Sequence, residues 1–344
     1  MFTEPVLPMS GPRYRSRMTA IGSYVPERIL TNAELERMID TNDEWIVQRT
    51  GIRERRIGEP DEFTSRLAIR AVQNMQERYG VALHDVDLLL VCTSTPDFSF
   101  PSTACLVQAH FGIEQTFALD LSAACAGFVY GLHVADGMIA SGMHRKALVI
   151  GADALSKIAD YTDRTTCILF GDGAAAVLLE RTDDPRSEPA FFSYTAGSDG
   201  NGAAHLYRSN TAASLNGAPL RGDGKLVQNG REVYKFAVQT VPKGVAELLA
   251  QAGLTTADID WFLPHSANLR IIESICDKTG LPLERTLHTI ERYGNTSAAT
   301  IGLAMDEAVR MGRFRDGDRL LLFGFGGGFV HGGLLMRWSD LKEG

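Results

Sequence analysis

HDVDLLLVCTS, residues His84–Ser94, returns later in the chain as ADIDWFLPHSA, Ala257–Ala267. Each copy is a polar turn with an acidic residue, followed by an apolar run of strand length. The two are about 173 residues apart in a chain of 344. DLSAACAG (Asp120–Gly127) and NTSAATIG (Asn295–Gly302) share Ser-Ala-Ala at a similar offset. KALVIGAD (Lys146–Asp153) and DRLLLFGFG (Asp318–Gly326) are both strand-like runs ending in glycine-rich sequence. Three matches in one order at nearly one offset indicate a duplicated fold unit. Between the strand-like runs lie amphipathic helical patterns over Thr64–Arg78, Val129–Ser141 and Val233–Ala252. The alternation predicts an α/β protein with two similar halves. The run at Lys146–Ile150 is too short for a helix and too apolar for a surface strand, so it reads as a central strand. The halves are drawn at 18–183 and 184–344, preceded by a flexible N-terminal extension over 1–17.

Composition narrows the function classes. Hydrophobic residues make up 44% of the chain, enough for a large core. Lys and Arg number 34 against 42 Asp and Glu, giving 34 − 42 = −8. That balance argues against a nucleic-acid binder, while leaving room for a local basic patch. No apolar run reaches the roughly 18 residues of a membrane-spanning helix. The five cysteines form no C-x-x-C pair, so zinc and thioredoxin-type spacings are absent. Their small odd number fits a reducing, cytoplasmic setting.

Cys125 stands in LSAACAGF (Leu121–Phe128) among residues so small that they leave an approach to its sulfur. A strand-like FALDL precedes it and an apolar helical face of Phe128, Val129, Leu132, Ala135, Met138 and Ile139 follows. Gly142 lies just past the end of that pattern, where a C-cap glycine belongs. The sulfur is therefore expected at a helix N-terminus, where unpaired N–H groups favour thiolate. Cys92, Cys105, Cys167 and Cys276 lack such a setting and read as small core residues. His265 follows Pro264, which ends a strand, and so is presented at the carboxyl edge of a sheet. Asn295, in GNTSAA, is equally readable as a helix N-cap. Its place in the repeat, opposite Cys125 at the seam between the halves, is what makes it a candidate. FGFGGGF (Phe323–Phe329) matches neither phosphate-loop pattern. Its glycines allow close backbone approach and suit an oxyanion hole.

ACAGF, PHSANLRI, GNTSAA, FGGGF and TNDEWIVQRTGIRER (Thr41–Arg55) together resemble β-ketoacyl-acyl carrier protein synthase III, a condensing-enzyme family of the thiolase-like superfamily. The resemblance runs from about Met18 to Trp338. DYTDRTTCILFGDG (Asp160–Gly173) is similar in particular to isoforms of Gram-positive bacilli that accept branched primers. It implies a thiolase-like fold, with two pseudo-symmetric halves layered αβαβα, and a homodimer. The implied activity is decarboxylating condensation of an acyl-CoA primer with malonyl-acyl carrier protein. No cofactor or metal is implied, acyl-CoA being a substrate.

The family's Cys-His-Asn triad falls on Cys125, His265 and Asn295. The oxyanion hole falls on the backbone N–H groups of Cys125 and Gly327. Trp45, Arg49, Arg164, Asn268 and Arg231 match positions that bind CoA and its pantetheine. Phe100, Leu155, Phe170 and Phe325 match the acyl pocket, with Phe100 reaching across a dimer. Lys235 and Arg270 match the surface that docks an acidic carrier protein. Independently of the family, Thr41 and Glu44 have capping-box spacing, which places Trp45 on a first helical turn. The chain departs from relatives at Ser266, Arg231 and Asp277, the last weakening or displacing the docking patch. Two other readings of the same residues remain: a starter-unit condensing enzyme of a polyketide or quinolone pathway, and a cysteine hydrolase with the same Cys…His…Asn order.

Overall fold

The computed structural model describes residues 14–184 and 188–341. Residues 1–13, most of the expected N-terminal extension, lie outside them. The nine strands of two large sheets are β1 (Arg15–Tyr24), β2 (Leu88–Cys92), β3 (Phe117–Leu121), β4 (Lys146–Ala154), β5 (Asp172–Thr182), β6 (Phe191–Ser198), β7 (Trp261–Pro264), β8 (Arg319–Gly326) and β9 (Val330–Arg337). The helices of eight or more described residues are α1 (Asp43–Thr50), α2 (Thr64–Tyr79), α3 (Thr103–Phe111), α4 (Gly127–Ala140), α5 (Gly230–Ala252), α6 (Leu269–Thr279) and α7 (Thr300–Arg310). The expected extension over 1–17 is corrected at its end. Arg15, Ser16 and Arg17 already pair with Thr182, Arg181 and Glu180 in β5.

One sheet has the order β1-β5-β4-β2-β3 and the other β7-β8-β9-β6. In the first, β4, β2 and β3 run parallel while β5 and β1 pair antiparallel. In the second, β7 and β8 are parallel, and β9 and β6 follow antiparallel. The register repeats as well. Leu88 faces Ala147 in the first sheet and Trp261 faces Leu320 in the second, each 173 residues further on. The counterpart of β3 has shrunk to a single bridge between Phe262 and Thr286.

Helices α2 and α3 pack on the outer face of the first sheet, and α5 and α6 on that of the second. Between the sheets lie α4 and α7, which completes the αβαβα layering. Helix α4 buries Phe128, Val129, Leu132, Ala135 and Ile139. Its Gly131 lies so close to β2 that an added Cβ would fall 2.5 Å from the Cys92 sulfur. Only a residue without a side chain permits that approach. The central strands β2 and β4 are buried along their whole length, as their unbroken apolar runs require.

Two local expectations change. Helix α1 is capped by Asn42, whose side chain accepts from the Trp45 N–H at 2.8 Å, and not by Thr41. Asn42 sits one residue nearer the first turn, where its side-chain oxygen reaches the orphan donor. Cys105 is exposed on α3, whereas Cys92, Cys167 and Cys276 are buried as expected.

Candidate active site

The cysteine elbow lies where β3 turns into α4. Ala124 takes φ +45°, a left-handed conformation uncommon outside glycine, and a short 3-10 turn over Ala124–Ala126 leads into the helix. The turn brings Cys125 against the end of β8, where a Cβ on Gly326 would lie 2.8 Å from the Cys125 nitrogen. No acceptor among the described residues takes the N–H of Cys125 or of Gly327. Two unpaired backbone donors thus border the nucleophile.

His265 emerges from the end of β7, and its N–H donates to the Phe323 carbonyl at 2.8 Å. The imidazole is buried and its Nδ1 lies 2.7 Å from the Thr300 Oγ1. The Thr300 hydroxyl also donates to the Ser297 carbonyl at 3.0 Å. With its proton there, Thr300 accepts from Nδ1–H and leaves Nε2 as a free acceptor. Asn295 is held in a bridge beside Phe170, with its N–H on the Leu169 carbonyl at 2.8 Å. Its Oδ1 accepts the Ser297 N–H at 2.8 Å. The side-chain amide is thereby oriented with its NH2 left for a ligand.

Cys125, His265 and Asn295 line one cavity of about 780 Å3, together with Ser297, Gly326 and Gly327. Leu155, Phe170 and Phe325 form apolar wall in it, and Phe325 meets the His265 ring edge-on at 5.2 Å. Trp45, Arg49, Asn268 and Arg270 also line it. Asn268 caps α6 by accepting from Arg270 N–H, and its Nδ2 ties to the Arg49 carbonyl at 3.1 Å. Arg164 and Arg49 both stand over the Trp45 indole, at 5.4 and 5.5 Å from its centroid.

The remaining candidates lie apart. Arg231 and Lys235 are exposed on the first turns of α5, outside the cavity wall, and Lys235 pairs with Glu232 at 3.7 Å. Phe100 is 87% exposed and lines a second cavity of about 560 Å3, which shares Ser94, Ser122 and Arg208 with the first. Ser266 is buried and accepts from Thr289 N–H at 3.3 Å.

The electrostatics overturn one expectation. Cys125 is only partly covered from solvent, yet protein encloses its sulfur and burial pushes the thiol up to about 12. A hydrogen bond from Ser297 lowers it, and the nearby Asp153 charge raises it further. Desolvation outweighs the helix N-terminus, so the resting nucleophile is a thiol. Burial likewise pushes His265 down to about 3, which keeps its ring neutral. Sequence reasoning missed Ser297, Thr300 and Asp153. Their signal lay in the repeat: at the 173-residue offset of the other two matches, Cys125 aligns with Ala298, two positions from the alignment that the shared Ser-Ala-Ala suggests. The left-handed residues Ala124 (φ +45°) and Ser297 (φ +51°) fall into register at that offset.

Comparisons with known proteins give the family and the fold. The family 3-Oxoacyl-[acyl-carrier-protein (ACP)] synthase III matches residues 119–213, and its C-terminal family matches 249–338. The chain is 60% identical to β-ketoacyl-[acyl-carrier-protein] synthase III 2 of Halalkalibacterium halodurans, over 96% of this chain and 98% of that one. It is 56% identical to the protein of the same name in Bacillus subtilis, over 94% and 99%. A solved synthase III from Thermus thermophilus superposes with a TM-score of 0.89 at 46% identity, covering 94% of this chain and 99% of the other.

Proposed function

Because the chain belongs to the β-ketoacyl-[acyl-carrier-protein] synthase III family, we propose that this one cavity performs both halves of a decarboxylating condensation. The reaction joins an acyl-CoA primer to malonyl-acyl carrier protein and initiates fatty acid synthesis. What carries the assignment of roles is the shared lining of about 780 Å3 by Cys125, His265, Asn295 and Gly327.

In the first half, Cys125 passes its thiol proton to the free Nε2 of His265 as the sulfur attacks the thioester. The oxyanion that forms takes the N–H groups of Cys125 and Gly327, each such donor being worth about 3 kcal/mol in the barrier. The bond to the CoA sulfur breaks, and the departing thiolate takes the proton back from His265. In the second half the malonyl thioester loses carbon dioxide, and the electron pair becomes an enolate. Asn295 Nδ2 and His265 Nε2 donate to its oxygen. The Thr300 hydroxyl suits both halves: turned to the Ser297 carbonyl it leaves Nε2 a base, and turned to Nδ1 it leaves Nε2 a donor. The carbanion then attacks the acyl-cysteine, the carbon–sulfur bond breaks, and the cysteine leaves as a thiolate that takes a proton from water to restore the resting thiol. An amide cannot accept a proton, so Asn295 favours decarboxylation over deprotonation as the source of the carbanion.

Trp45, flanked by Arg49 and Arg164, would stack a CoA adenine once Arg164 swings off the ring. Asn268 would hold the pantetheine, and Leu155, Phe170 and Phe325 the primer. Phe100 would close the partner's acyl pocket in a homodimer, its 87% exposure in one chain being consistent with a residue that needs a partner. Arg270 and Lys235 would receive the acidic carrier protein.

Mass spectrometry after exposure to a panel of acyl-CoAs tests the reading. A mass gain on the peptide holding Cys125, discharged by malonyl-acyl carrier protein into a β-keto product, is expected. Cys125→Ala should abolish the gain and lower turnover by more than about 10³-fold. Labelling elsewhere, or labelling with no carbon–carbon bond formed, would overturn it.

A further inference from the structure

Behind the site lies a buried carboxylate that the two half-reactions do not use. Asp153, near the end of β4, is fully buried. Its Oδ1 accepts from Ser94 N–H at 2.7 Å and from the hydroxyls of Thr93 and Thr95 at 3.1 Å each. Its Oδ2 accepts from Ala298 N–H at 3.1 Å. No lysine or arginine is among these partners. Burying an unpaired carboxylate costs several kcal/mol unless its hydrogen bonds are complete, and here they are drawn from both halves of the molecule. Ser94 and the two threonines follow β2 in the first half, while Ser297 and Ala298 form the elbow of the second.

That second elbow orients two catalytic groups at once. The Ser297 N–H holds Asn295 Oδ1, and the Ser297 carbonyl holds Thr300, which touches His265. Ser297 adopts φ +51°, a conformation that a residue with a Cβ keeps only where its surroundings enforce it. The Asp153 bond to the N–H of Ala298, the next residue, supplies that enforcement.

We propose that Asp153 is a positioning residue: it seats the Ser297–Ala298 elbow and through it fixes His265 and Asn295 for the decarboxylation half-reaction. The inference rests on the roles given above to Cys125, His265 and Asn295. It predicts an unequal effect on the two halves, because Asn295 acts only in decarboxylation, whereas acylation relies on Cys125 and its two N–H donors, which belong to the other elbow, and on His265, which is also held from the end of β7 through the Phe323 carbonyl. Asp153→Asn keeps the shape but brings an NH2 among groups that are already donors, so at least one of the four bonds is lost.

The test uses the full chain, with the two half-reactions measured separately: transfer of an acetyl group from acetyl-CoA to Cys125, and release of carbon dioxide from malonyl-acyl carrier protein. Asp153→Asn should lower decarboxylation at least about tenfold, the loss of one well-placed hydrogen bond. Acylation should stay within about threefold. Thr93→Val, which keeps the side-chain shape and removes one hydroxyl that seats Asp153, should show the same imbalance more weakly and serves where Asp153→Asn does not fold. A second readout follows from charge. The titratable groups at Cys125 are Asp153 from β4 and His265 from the end of β7, and His265 is neutral. Burial raises the Asp153 carboxyl above its usual range, so above the pH at which it ionises, removing its charge should move Cys125 alkylation by iodoacetamide to lower pH. Equal losses in both half-reactions, or no loss in either, would overturn the proposal. Failure of the wild-type protein to decarboxylate would overturn it together with the functional reading, and His265→Ala run alongside sets the scale of a lost donor.

Discussion

Two elbows of one ancestry face each other across the seam, and one difference separates the working elbow from the idle one. Each enters its central helix through a left-handed residue, Ala124 in the first half and Ser297 in the second. Each presents the next residue's N–H to the end of the opposite half's central strand. At Ala298 that N–H is filled by the Asp153 carboxylate. At Cys125 the register position 173 residues after Asp153 is Gly326, and no side chain reaches the donor. Glycine keeps an anion hole open in one half, while aspartate plugs its counterpart and turns it into a support. The same duplication pairs His265 with Cys92, so the strand end that carries a base in one half carries an inert thiol in the other. Burial pushes that Cys92 thiol well above its ordinary range.

The largest effect should come from erasing the glycine. Gly326→Asp gives the working elbow the plug of the idle one. A folded protein whose acylation of Cys125 is slower by about 10²–10³-fold is expected from the lost donor. Acylation rates from quenched-flow mass spectrometry, with circular dichroism as the folding check, decide it. An unaffected rate would mean that the Cys125 N–H is not part of the anion hole.

The next effect concerns the charge state of the nucleophile. With the thiol raised to about 12 by burial, the thiolate fraction grows with pH over the whole accessible range. Alkylation of Cys125 by iodoacetamide should therefore rise about tenfold per unit between pH 7 and 9, with no plateau. A plateau below pH 8 would mean that the helix N-terminus overrides desolvation. His265, lowered to about 3 by burial, should add no inflection near pH 6.5 to kcat/KM for acylation.

The smallest effect isolates the backbone that the elbows share. Ala124→Gly relieves a left-handed conformation that costs an L-residue about 1–2 kcal/mol. It should raise Tm by a few degrees without changing either half-reaction, as calorimetry and the two assays would record. Ser297→Gly relieves the same strain but loosens the turn whose N–H holds Asn295 Oδ1, so it should instead lower decarboxylation.

The sequence alone determined the α/β class, the duplication and the nucleophile's elbow, because each rests on short-range patterns: apolar runs, a repeat offset and a block of small residues around Cys125. His265 and Asn295 were legible for the same reason, standing at a strand end and at a turn whose positions the repeat marks. Tertiary structure alone decided what those residues are held by and how they ionise. Asp153 is distant in sequence from Ser297 and Ala298, and nothing local marks it as their support. Cys125 sits at the start of a helix by sequence, yet its thiol is raised because the opposite half encloses it. Hydrogen bonds across the seam and the dielectric around a sulfur depend on which surfaces meet, and a linear pattern does not encode that.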